Sequence, residues 1–166
     1  MRRINAFWWV ALLVILFLQI IQMKYVGVAE MLEIQFNDSI SFFIEKVEAN
    51  TENIRNTVYL DFIYIVVYTL LFYLSFRIFD DSLNLKLKKK HFLICLIPGL
   101  IDIVENIMLL SLLKNPALPN LFSAYQLVVI FKWTVANIFL LMIMAILLYH
   151  VLLFLNRLIN KLFSLK

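Results

Sequence analysis

Four long apolar runs constrain this chain more than anything else in it: Ala6–Met23, Thr57–Phe79, Phe92–Leu113 and Ser123–Phe154. A bilayer is crossed by about 20 consecutive apolar residues in a helix, the structure that pairs every backbone polar group within itself. The first run carries no charge before Lys24 and starts with Trp8 and Trp9, so it spans with modest tilt. The fourth is too long to lie wholly in the hydrocarbon, so one end projects into an interface. Hydrophobic residues make up 64% of the 166 and charged ones 16%, which excludes an ordinary soluble domain. Two Gly and three Pro leave little material for loops. The reading is all-α: an integral membrane four-helix bundle, one membrane domain over residues 1–166. Pro98-Gly99 is expected to kink the third helix, because Pro removes a backbone bond and crowds the preceding turn.

A rival reading of the first run is a signal peptide, with Arg2 and Arg3 as its basic start and Gly27-Val28-Ala29 as its cleavage region. Its apolar stretch exceeds the about 7 to 15 residues usual there, so an uncleaved helix is preferred. Orientation follows from lysine and arginine. One side holds ten: Arg2, Arg3, Arg77, Lys86, Lys88, Lys89, Lys90, Arg157, Lys161 and Lys166. The other holds four: Lys24, Lys46, Arg55 and Lys114. Both termini are therefore expected in the cytoplasm. The Lys86–Lys90 cluster sets topology and touches anionic headgroups. The +4 charge sits mostly at helix ends, so lipid rather than nucleic acid is the expected contact.

The segment 28–56 is acidic and extracytoplasmic on this reading. Ile40, Phe43, Ile44, Val47 and Ile54 recur at helical spacing behind a candidate N-cap, Asp38 or Ser39. An amphipathic helix that rests on the outer surface or caps the bundle is expected. Asn37-Asp38-Ser39 matches a glycosylation sequon, which matters only in a eukaryotic secretory pathway. Cys95 is a lone cysteine and the histidines are two, His91 and His150, so neither a disulfide nor a metal site is expected. No cofactor motif is present either.

Function is written in the polar residues inside the apolar runs. Asp102, Glu105 and Asn106 fall at i, i+3 and i+4, one face of the third helix. At about 1.5 Å per residue, Asp61 lies roughly 6 Å from the outer end of helix two. On the same scale Glu105 and Asn106 lie roughly 10 to 12 Å deep, Asp102 near roughly 16 Å and Lys132 at roughly 14 Å. Charges at such depth face a bundle interior or a cavity and find partners. Lys132 is the natural counter-ion. Three acids against one base leave surplus negative charge, so at least one carboxyl is expected to hold a proton. Tyr64 and Tyr68 continue the Asp61 face at i+3 and i+7. Asn137 is expected to bond between helices, Gln19 and Gln22 to add helix contacts, and Trp133 to share a face one step from that of Lys132.

The series Asp61, Tyr64, Tyr68, then Asp102-x-x-Glu105-Asn106, then Lys132-Trp133 resembles small uncharacterised bacterial four-helix membrane proteins with Asp-x-x-Glu-Asn in the third helix. That resemblance covers helices two to four, implies a site there and a multi-pass protein of a bacterial inner membrane, and carries no activity. A second comparison, with sterol-isomerase-like emopamil-binding membrane proteins, rests on acidic residues in a small helical bundle and carries no residues across. The candidate site is therefore Asp61, Tyr64, Tyr68, Asp102, Glu105, Asn106 and Lys132. Its leading reading is a small binding or translocation module for a proton, cation or amphiphile. One alternative is a membrane-embedded enzyme that uses carboxylate acid/base chemistry on a lipid or isoprenoid. Another is an accessory or immunity-type subunit. The expected partners are membrane lipids and a second copy or another membrane protein.

Overall fold

In the computed structural model, which describes residues 2–84 and 86–163, the chain forms five α-helices and one 3-10 helix. They are α1 (Arg2–Gln22), α2 (Val28–Phe36), α3 (Ile40–Leu83), the 3-10 helix (Lys89–Leu96), α4 (Ile97–Lys114) and α5 (Pro119–Phe163). No strand occurs among the described residues. Four helical stretches are long and apolar enough to cross a membrane: Ile4–Gln22, Ile40–Leu83, Lys90–Lys114 and Pro119–Asn156. Such a set belongs to a multi-pass membrane protein.

α3 is the hub, in contact with α1, α2, α4, the 3-10 helix and α5. α1 lays one stripe on it, Trp8, Ala11 and Ile15, at i, i+3 and i+7. Buried there, the Trp8 indole N–H donates to Ser75 Oγ at 2.7 Å. The opposite face of α1 exposes Phe7, Val10, Leu13 and Phe17, an apolar surface suited to lipid.

A helix does begin at Ile40, capped by Ser39, whose hydroxyl accepts from the Phe42 N–H at 3.3 Å. It meets the second span at a kink, Asn50, at φ −130° and ψ 21°, so α3 is two helices joined end to end. There the Asn50 amide donates to Glu30 at 3.0 Å and ties α2 to α3. One expectation needs correction: Pro98 does not kink a continuous α-helix. The stretch before it is a 3-10 helix, and Pro98 lies in the first turn of α4, where a missing N–H leaves no bond unmade. Gly99 beside it has a packing role: a β-carbon there would stand 2.6 Å from Thr69 Oγ1 and 3.3 Å from Ile65 Cγ2. Its absence lets α4 lie close against α3.

The apolar core has two parts. One joins Trp8, Ile65, Leu71, Cys95, Phe139 and Ile146 with their neighbours. The other joins Ile34, Phe43, Val58, Leu109, Tyr125 and Val129. Along α3, α4 and α5 alike, the charged residues lie between these two parts: Asp61, then Asp102 and Glu105, then Lys132. The apolar packing on either side thus fixes three helices at the level where the charges meet. α1 packs on α3, and at its Trp8–Trp9 end its rings also meet His150 of α5.

Candidate functional site

Lys132 joins two carboxylates. Its Nζ contacts Glu105 Oε2 and lies 3.2 Å from Asp102 Oδ1. The i, i+3, i+4 spacing of Asp102, Glu105 and Asn106 aims all three into the space between α3 and α5, and all three are buried. The expected pairing of Lys132 with Glu105 or Asp102 is therefore present to both at once.

The two carboxylates are held differently. Glu105 is 1% exposed and fully occupied: besides Lys132 it accepts from Gln35 Nε2 at 2.9 Å and from the Tyr125 hydroxyl at 3.4 Å. Trp133 Nε1 in turn donates to Gln35 Oε1 at 3.2 Å, so the amide is fixed from both ends. Asp102 accepts from the Tyr68 hydroxyl at 2.8 Å through Oδ2. Its Oδ1 faces Lys132 at ion-pair distance but outside hydrogen-bond geometry, so that buried oxygen has acceptor capacity to spare. Asp61 forms a third centre, taking the Asn106 amide at 2.8 Å and the Gln22 amide at 3.2 Å.

Six of the seven expected site residues thus share hydrogen bonds or ion pairs. Among the described residues Tyr64 makes no such bond; it stands edge-on to Tyr68, ring centroids 5.6 Å apart. Four participants lie outside the seven candidate residues. Gln35 lies outside the apolar runs, where an amide reads as solvated, yet it is 5% exposed. Gln22 makes the helix contact expected of it, from α1 to Asp61 of α3. Trp133 reaches the site through Gln35 although its face differs from that of Lys132. Tyr125 had an available signal, since it precedes Lys132 by seven residues, two helical turns on one face. Asn137 makes no hydrogen bond to another side chain among the described residues, and Gln19 and Asn137 both border the cavity described next.

That cavity has a volume of about 440 Å³. Its polar residues gather at the level of Asp61, Asp102, Asn106 and Lys132, with Gln22 and Gln35 beside them, and Met23, Val26, Met31 and Leu32 share the lining there. Toward the other end it is apolar, with Leu12, Ile15 and Leu16 from α1 opposite Leu140 and Ile143 from α5. Glu105 is not part of the wall. It acts behind the surface, holding Lys132 in place, while Asp61 and Asp102 present carboxylate to whatever occupies the space. The tail walls thus come from α1 and α5, whose side chains face the same space. Among the described residues no group of three or more His, Cys, Asp and Glu side chains is arranged to hold a metal ion.

No protein-family model, no curated protein and no solved structure matches this chain.

Proposed function

We propose that this chain is a membrane-embedded binding module for a small amphiphile. The observation that carries the reading is the cavity itself, polar at the level of Asp61, Asp102 and Lys132 and apolar between α1 and α5. Its volume falls in the range of about 300 to 1,000 Å³ common for small-molecule sites. A ligand with a polar head and one aliphatic tail matches this lining. A head that meets the polar wall replaces water at groups which otherwise sit solvated at membrane depth.

The proposal includes a topology. With both termini cytoplasmic, in keeping with the ten-to-four division of basic residues, segment 28–56 is extracytoplasmic and the polar end of the cavity lies in the outer half of the bilayer. The Lys86–Lys90 cluster then faces the cytoplasmic leaflet.

The test is purification of the full chain directly from its membrane into lipid nanodiscs, followed by mass spectrometry of extracted small molecules. A single-chain amphiphile is expected at about one per protein. Ala136→Trp, which fills the cavity from α5, should remove it without loss of folded protein. An identical small-molecule profile in the two proteins would end the reading.

A second reading rests on the placement of Asp61 and Asp102 on one wall with the Tyr68 hydroxyl between α3 and α4. Two carboxyls beside a bound lipid are the groups that acid/base chemistry needs. Chemical change of the captured amphiphile over time, lost in Asp102→Asn, would move the assignment from binding module to enzyme.

A further inference from the structure

We infer that the ligand is a cationic amphiphile, a single-chain aliphatic amine whose ammonium group seats between Asp61 and Asp102. The inference rests on the amphiphile-binding reading and adds the chemistry of the head. Of the ionisable groups on the wall, two are acids and one is a base. The base is already committed, because Lys132 is held by Glu105 from behind and by Asp102 from the side.

An anionic head would therefore meet two carboxylates and a cation whose charge is already matched. Repulsion in a low-dielectric site is costly, since the same charges interact far more strongly there than in water. A donor head meets the opposite situation. Asp102 is 7% exposed and lines the cavity, and its buried Oδ1, beside Lys132, carries no hydrogen bond. Each Asp61 oxygen accepts one bond and has a second lone pair free. An ammonium group supplies three N–H donors and the positive charge that the three acids lack against one lysine. Tyr64 and Tyr68 border the same end, and their ring faces favour a cation as well.

The closing experiment uses the purified full-length protein in phosphatidylcholine nanodiscs and radiolabelled dodecylamine, with dodecanol and dodecanoate as competitors. Dodecylamine should bind, and dodecanol should compete about tenfold less well, because it lacks the charge-assisted bond. Asp102→Asn and, separately, Asp61→Asn should each weaken the amine about tenfold, and weaken it more than they weaken dodecanol. The second variant stands on a different helix, so the test survives if one of the pair does not fold. Equal or tighter binding of dodecanol or dodecanoate, or amine affinity indifferent to both substitutions, would overturn the amine assignment and leave the amphiphile reading standing. Absence of saturable binding of all three probes, or binding undiminished in Ala136→Trp, would overturn both.

Discussion

Glu105 and Lys132 form the kind of buried pair whose worth is seen mainly when it is broken. Lys132→Met leaves Glu105 without a counter-ion in a nearly sealed site, and a loss of about 3 to 5 kcal/mol is expected from removal of one partner. Adding Glu105→Gln should recover a large part, because a neutral amide still fits against Gln35 and Tyr125. Adding Asp102→Asn to Lys132→Met should recover less, since Asp102 keeps Tyr68 and borders the cavity. Thermal unfolding of the four proteins in one detergent measures both couplings, and strictly additive losses would contradict the arrangement. At this scale the sequence was informative where polar residues interrupt apolar runs, which is why Asp102, Glu105, Asn106 and Lys132 stood out. It was silent at Gln35, because nothing in a short polar stretch such as Glu33 to Ser39 tells a buried amide from a solvated one.

The helices owe their spacing to a few small residues. Gly99→Ala would place a methyl 2.6 Å from Thr69 Oγ1, so α4 must move away from α3 or Thr69 must turn. A cost of about 1 to 3 kcal/mol is expected, with Asp102 carried off its bond to Tyr68. Thr69→Ala should relieve much of it, since it removes the obstructing hydroxyl, which is buried without a hydrogen-bond partner. The pair is decided by a double-mutant cycle on melting temperature; an unchanged melting temperature for Gly99→Ala alone would mean that the close approach does not matter. Ser39→Ala tests the start of α3 and should cost about 1 kcal/mol through the lost cap to Phe42. Apolar periodicity made all four spans legible, along with the helix that begins at Ile40. The point where that helix meets the second span was not, because the kink falls at Asn50, and an Asn among polar residues carries no mark of one. Pro98 shows the same limit: a proline signals a broken hydrogen-bond pattern, and only the neighbouring 3-10 turns decide whether the break is a kink or a beginning.

For the whole molecule, the proposed topology predicts that cysteines introduced at Glu48 and at Lys90, both exposed, react with a membrane-impermeant reagent from opposite sides. Reaction of both from one side would reverse the assignment of the termini. The same global view gives a use to the pairing of Trp8 and Trp9 with His150. At that end of the molecule the indole rings of α1 lie 5.9 Å from the imidazole of α5, centroid to centroid. Trp133, the remaining tryptophan of three, borders the cavity about 26 Å further along α5, counted at about 1.5 Å per residue. The chain therefore carries its own optical gauges, one where α1 touches α5 and one at the polar head site. Intrinsic emission from the unlabelled protein can follow the separation of the two helices and the arrival of a guest as distinct signals.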